Sequence, residues 1–208
     1  MEKRIAVLVS GGGTNLQALI DAQARGHIQN GRIAAVISSN PEAYALERAR
    51  QAGIPGHVVA RKVYASSREM TMALVDKLRE LGIDLVVLAG FMTILTREMV
   101  DAFPNAILNV HPALIPSFCG PGCYGLHVHE RALEYGVKLS GATVHFVNEE
   151  ADGGPIVLQK AVEVREDDTP ETLQRRIMEE AEWQLLPQAV SLFCQDRLRV
   201  EGRTVRIL

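Results

Sequence analysis

Ile5-Ala6-Val7-Leu8-Val9 is an unbroken apolar run, closed by Ser10-Gly11-Gly12-Gly13 and followed by Thr14-Asn15-Leu16. A strand with one wet face alternates apolar and polar residues. An unbroken run fits a strand covered on both faces, the usual situation in a parallel sheet. Asn15–Ala24 then places Leu16, Leu19 and Ile20 on one helical face. The chain therefore opens as strand, glycine turn, helix. The pattern repeats: Ile33–Ile37 reads as a strand, Ala43–Ala52 as a helix stopped by Gly53 and Pro55, and His57–Val59 as a third strand. Ser67–Leu81 reads as a helix starting near a Ser cap, Asp84–Ala89 as a central strand, Thr96–Phe103 as a short helix and Ala106–Val110 as the next strand. Such alternation predicts an α/β fold, a doubly wound, mostly parallel Rossmann-like sheet with helices on both faces. Gly141–Val147 and Ile156–Val164 alternate instead, and are expected to form an antiparallel C-terminal edge. Thr169–Ser191 reads as one long terminal helix, with Asp167 or Asp168 near its start, Pro170 in its first turn and a kink at Pro187. Residues 1–208 show no repeat or interdomain linker and are expected to form a single domain.

Bulk properties narrow the function classes. A net charge of -3 argues against a nucleic-acid binder, which usually presents a basic face. Three cysteines, an odd number, do not make a secreted disulfide framework. Met1-Glu2-Lys3-Arg4 precedes an apolar run too short for the core of a signal peptide. No stretch approaches the ~20 apolar residues of a membrane helix. A cytoplasmic protein without membrane contact is the expectation.

The turn Ser10-Gly11-Gly12-Gly13-Thr14-Asn15 lies between a strand and a helix start. Glycines let a ligand approach the backbone, and the free N–H groups of a helix start favour a phosphate. No Gly-Lys-Ser/Thr follows, so it is not a Walker A loop. Leu16 stands where a dinucleotide fingerprint needs its third glycine, and Ser38-Ser39-Asn40 supplies no acid for a ribose hydroxyl. One phosphomonoester fits better than a dinucleotide; a plain tight turn is the alternative.

Ile107-Leu108-Asn109-Val110-His111-Pro112 carries Asn109 and His111 at spacing i, i+2, which in an extended chain puts both on one face. Pro112 ends the ladder, so an amide and an imidazole are presented together at a strand end. Ligands of open α/β sheets bind at the carboxyl ends of strands. Asp152-Gly153-Gly154-Pro155 can bring a carboxylate to the same place. Alone, an Asn or His at a strand end is usually a cap, and Asp-Gly is usually a turn. Together they supply a proton donor, an oxyanion partner and a group that keeps imidazole charged, the parts of an acyl-type transfer.

These segments carry a family resemblance. Ile5–Ile20, Ser38–Asn40 with Ala45-Leu46-Glu47-Arg48-Ala49, Leu88-Ala89-Gly90-Phe91-Met92, Leu108–Pro116, Gly125-Leu126-His127 and Gly141–Gln159 resemble the folate-dependent formyltransferases. The Asn-x-His-Pro and Asp-Gly-Gly-Pro pair is specific to that family, and the N-terminal glycine turn is similar to its glycinamide ribonucleotide branch. The resemblance implies transfer of a formyl group from 10-formyltetrahydrofolate, as co-substrate, to the amine of glycinamide ribonucleotide, with no metal required. It implies a ribonucleotide-binding N-terminal half and a folate-binding, catalytic C-terminal half. It also implies catalytic roles for Asn109, His111 and Asp152, and a phosphate at Gly13, Thr14 and Asn15. Glu179 and Glu182, at i, i+3 on the terminal helix, match positions that bind the amine and ribose end; a solvated acidic face is their plainer reading. Met92, Thr93, Ile94 and Leu95 match the pterin pocket, though core packing is the commoner use of such residues. Thr93 stands where many relatives carry Arg, so the resemblance carries over the pocket but not that residue's charge contact to the folate tail. Arg68 matches a folate contact or is a solvated Arg at a helix start. Asn148, Glu149, Glu150, Ala151 and Asp152 match a loop whose backbone reads the pterin, and Asn109 borders the same pocket.

His127, His129, Cys119 and Cys123 lie close in sequence, but their spacing matches no recognised zinc ribbon or finger. The segment Ser117-Phe118-Cys119-Gly120-Pro121-Gly122-Cys123-Tyr124 is longer than its counterpart in relatives. Other formyl-folate enzymes are rival readings. A methionyl-tRNA formyltransferase normally adds a C-terminal domain and a basic surface, a formyltetrahydrofolate hydrolase an N-terminal regulatory domain, and neither is expected here. A non-catalytic nucleotide-binding module leaves Asn109, His111 and Asp152 without a shared task. The expected partners are small molecules only, and the expected assembly is a monomer or homodimer.

Overall fold

The computed structural model describes residues 2–208. Strands β1 (Lys3–Val9), β2 (Gly31–Ser38), β3 (Gly56–Val58), β4 (Leu85–Leu88) and β5 (Ile107–His111) pair in parallel, with α1 (Thr14–Ala24), α2 (Tyr44–Gln51), α3 (Ser67–Glu80) and α4 (Arg97–Ala102) between them. A further helix α5 (His127–Tyr135) precedes β6 (Leu139–Phe146), which runs antiparallel to β5, and β7 (Ile156–Glu163), which runs antiparallel to β6. Helices α6 (Pro170–Ile177) and α7 (Trp183–Cys194) and the hairpin β8 (Leu198–Glu201), β9 (Thr204–Ile207) follow. All nine strands form one sheet in the order β3-β2-β1-β4-β5-β6-β7-β9-β8.

The opening run behaves as its composition demands. Ile5, Ala6, Val7, Leu8 and Val9 are all fully buried. Ile5, Val7 and Val9 join the core layer shared with α1 and α7, around Leu16, Leu19, Leu186 and Val190. Ala6 and Leu8 join the opposite layer, around Met70, Leu74, Leu78 and Met99. Each fully buried Leu or Ile of this kind contributes about 1.5–3 kcal/mol. Burial on both faces is why no polar residue breaks the run. The α3 start carries the expected Ser cap, with Ser66 accepting from the Glu69 N–H at 3.1 Å.

Three features depart from the sequence reading. The antiparallel part does not end at β7: β9 pairs with it in parallel, and the β8–β9 hairpin forms the margin. Helix α5 was not expected, because the loop before it obscures its start. The terminal helix is not continuous with a kink at Pro187. A π-helical turn, Met178–Glu182, interrupts it, with the Trp183 N–H donating to the Met178 carbonyl, and α7 contains Pro187. The N-cap of α6 is Thr169, paired reciprocally with Thr172, while Asp168 accepts from the Thr172 hydroxyl and ion-pairs with Arg176.

Candidate functional site

β5 and β6 build the centre of the site. Their register sets Asn109 opposite His145 and His111 opposite Thr143. Antiparallel pairing and a period of two put these side chains on one face. Asn109 Nδ2 lies 3.2 Å from His145 Nε2, and His145 Nδ1 lies 2.8 Å from the Phe146 carbonyl. The consistent assignment has Nδ1–H donating to that carbonyl and Nε2 accepting from the amide. That leaves the second Asn109 N–H for a ligand.

Asp152 folds back over this face from the loop after β6. Its Oδ2 lies 3.5 Å from His111 Nδ1 and accepts from the Gly120 N–H at 2.9 Å; its Oδ1 lies 3.7 Å from His145 Nε2. Asp152 has φ 55°, a left-handed conformation that Asp tolerates. The close packing of this loop requires glycine at 154, where a Cβ would overlap the Phe146 carbonyl oxygen. Burial opposes the Asp152 charge, but the His145 and His111 rings and the Gly120 N–H outweigh it and lower its pKa.

His111 is 4% exposed. Its Nε2 sits 2.8 Å from the carbonyl of Phe118, itself held at φ 49° and packed edge-on against Tyr135. Both ring nitrogens face acceptors, so only the imidazolium donates at both. Burial nevertheless dominates and lowers the His111 pKa, with Asp152 and the Phe118 carbonyl opposing it and His145 adding to it. Asp152 favours the charged ring, as the sequence reading expected, and burial is the larger, opposing influence. The ring is set to take a proton when negative charge develops beside it.

The glycine turn follows β1, which β4 separates from β5 in the sheet. Gly13 has φ 73°, and a Cβ there would lie 2.7 Å from Ala45 Cβ, so only glycine fits. Asn15 Nδ2–H donates to Glu182 Oε2 at 2.6 Å, and the Thr14 hydroxyl approaches the Met178 sulfur at 3.8 Å. Burial pushes the Glu182 carboxyl up to about 7, the Asn15 hydrogen bond opposing it. The π-helical turn buries Glu182 and leaves Glu179 exposed. The reading of these two acids on one face is therefore corrected: a widened turn does not keep α-helical i, i+3 neighbours together.

Met92 and Ile94 project from the loop after β4, at 58% and 80% exposure, while Leu95 packs into the core and Thr93 is half-buried. The Met92 N–H donates to the Ser10 hydroxyl at 2.9 Å, and Ser10 shares a 2.7 Å hydrogen bond with Ser39. Ser10 thereby ties the glycine turn to this second loop. Arg68 is exposed and donates to Glu98 at 2.6 Å. In the 148–152 loop, Asn148 accepts from the Glu150 N–H, Glu149 lies 3.4 Å from Arg97, and Glu150 and Ala151 are exposed.

Sequence reading missed His145 and Ser10. Thr143 and His145 at i, i+2 were visible in the alternating strand, but their face becomes known only once β6 pairs with β5. Cys119, Cys123, His127 and His129 are engaged separately or buried apart: Cys119 with the Pro116 carbonyl, Cys123 with Arg131, His127 with Glu130. No group of three or more His, Cys, Asp or Glu with metal-holding spacing occurs among the described residues. Among those residues no helix is long and apolar enough to cross a membrane. A groove of about 900 Å³ between α1 and α7 touches the glycine turn at Thr14 but none of Asn109, His111 and Asp152.

His129 is fully buried, both ring nitrogens lack a partner, and burial above all, with the neighbouring His111 ring adding to it, pushes its pKa down to about 4. Its ordinary value is near 6.5, so between pH ~6.5 and ~4 the unfolded chain binds a proton that the folded chain refuses. Stability is complete above that window and falls as pH drops through it, by at most ~1.4 kcal/mol per unit from this group. Thermal unfolding from pH 7.5 to pH 5 is expected to show a steeper Tm loss in the wild type than in His129→Leu. Equal slopes contradict this assignment.

Residues 3–190 match the family model described as formyl transferase. The chain is 46% identical over 199 residues to the phosphoribosylglycinamide formyltransferase of Haemophilus influenzae, covering 96% of this chain and 91% of that one. It is 40% identical to the Escherichia coli protein of the same name, covering 94% and 89%. Its structure resembles glycinamide ribonucleotide transformylase 1 from Symbiobacterium toebii with a TM-score of 0.93 at 50% identity, covering 99% and 94% of the two chains.

Proposed function

Because the chain belongs to the formyl transferase family, matched over residues 3–190, we infer that it moves the formyl group of 10-formyltetrahydrofolate to the amine of 5'-phosphoribosylglycinamide. The products are formylglycinamide ribonucleotide and tetrahydrofolate, a step of purine biosynthesis. The observation that carries the reading is the juxtaposition of Asn109, His111 and Asp152 on one face of β5 and β6.

In this reading the ribonucleotide phosphate lies at Gly13, Thr14 and Asn15, and its amine and ribose end lies toward Glu182, with Glu179 at the rim. The pterin lies against Met92, Thr93, Ile94 and Leu95 and the backbone of the 148–152 loop, with Arg68 near the folate tail. The glycine turn and the 92–95 loop meet at Ser10, which supports a shared site between the two substrates. The amine nitrogen attacks the formyl carbon and the carbonyl becomes an oxyanion. The free Asn109 N–H and protonated His111 stabilise that oxygen; one such preorganised donor contributes roughly 2.7–4 kcal/mol. As the carbon–N10 bond breaks, N10 takes a proton from His111 and the amine gives one up. Asp152 steadies the imidazolium and orders the proton path. Holding both substrates together is itself worth about 7–11 kcal/mol. Small-molecule substrates and a cytoplasmic setting fit this chemistry.

The test is product analysis with labelled formyl-folate, with and without the ribonucleotide. Equimolar formylated ribonucleotide and tetrahydrofolate support the reading. Formate released at the same rate without acceptor identifies a hydrolase and overturns it.

A further inference from the structure

Arg48 lies in the last turn of α2, outside every role assigned above. Its Nε–H donates to the Gly12 carbonyl at 2.8 Å and its Nη1 donates to Gln17 Oε1 at 3.0 Å. Its guanidinium carbon lies 5.0 Å from the Tyr44 ring centre, which fixes the plane of the fork. One turn earlier, the Ala45 N–H donates to the Gly11 carbonyl at 3.1 Å. Helix α2 thus holds two successive carbonyls of the glycine turn.

The consequence follows from peptide geometry. In a planar trans peptide the C=O and the following N–H point in opposite directions. With the Gly11 and Gly12 carbonyls drawn to α2, the N–H groups of Gly12 and Gly13 face away from it. Neither N–H donates to another group among the described residues. They extend the donor row of the α1 N-terminus, where an anion is favoured. Glycine residues do not choose a peptide orientation unaided, because both flips are open to them. Something outside the turn has to choose it.

We propose that Arg48 is a positioning residue for the substrate phosphate: its fork holds the Gly12 peptide so that the turn presents its N–H groups to the anion. The inference rests on placing the ribonucleotide phosphate at this turn. Lys is expected to be a poor substitute, since a single ammonium does not reproduce the planar, two-acceptor grip on Gly12 and Gln17.

The experiment compares kcat/KM for glycinamide ribonucleotide and for the same riboside without phosphate, in wild type, Arg48→Met and Arg48→Lys. Loss of a hydrogen bond aimed at a charged ligand corresponds to roughly 10- to 100-fold. Arg48→Met is expected to lose that factor with the ribonucleotide, through KM, while the riboside value and the KM for formyl-folate stay within about threefold. Arg48→Lys is expected to recover only part of the loss, and it carries the same comparison if the Met variant does not fold. An equal loss with both acceptors, or full activity with the ribonucleotide, overturns the role of Arg48 alone. A wild type that shows no preference for the phosphorylated acceptor overturns the placement of the phosphate as well.

Discussion

Asp152→Asn slows formyl transfer by at least ~100-fold, with Kd values for both substrates close to wild type. Positioned proton transfer of this kind contributes about 10²–10⁴-fold. Asn keeps the shape of the side chain and tolerates the left-handed backbone at φ 55°, so the loop stays in place. What disappears is the negative charge 3.5 Å from His111 Nδ1. Burial already lowers the His111 pKa, and Asp152 is the largest opposing influence. Without it the pKa falls further. A reaction that needs the imidazolium loses rate as pH rises through that pKa, so the alkaline decline of kcat moves to lower pH in the variant. An unchanged kcat and pH profile removes Asp152 from the proton path.

Gly154→Ala has the second large effect. The added methyl overlaps the carbonyl oxygen of Phe146, the group that accepts from His145 Nδ1, while the Phe146 N–H is tied to the Pro155 carbonyl. The 148–154 loop has to retreat, and Asp152 moves off both imidazoles. Overpacking of this kind costs about 1–3 kcal/mol of stability, and a displacement of ~1 Å in a catalytic constellation costs on the order of 100-fold in rate. A Tm lower by several degrees and a kcat lower by roughly 100-fold are expected together. Wild-type kcat in this variant contradicts the close loop packing that positions Asp152.

The parts of this protein that were legible in its sequence are those governed by local periodicity. Ile5–Val9 announced a strand covered on both faces because no polar residue could be afforded there. Asn109 and His111 announced a shared face because the strand period is two. What stayed hidden depends on partners far along the chain. His145 acquires its place only through the register of β6 on β5, and Ser10 only because the loop after β4 returns to it. Glu179 and Glu182 look equivalent on an α-helical wheel, yet the π-helical turn buries one and exposes the other. The balance at His111 was hidden for the same reason: the adjacent acid that favours the imidazolium is visible in sequence, but the desolvation opposing it comes from surrounding packing.

The most direct measurement is single-turnover formyl transfer by His111→Ala at saturating concentrations of both substrates, with their Kd values determined in parallel. The account predicts binding within about threefold of wild type and transfer slower by at least ~100-fold. Transfer within tenfold of wild type, with both substrates bound, contradicts it and leaves the β5–β6 face without the proton donor assigned to it.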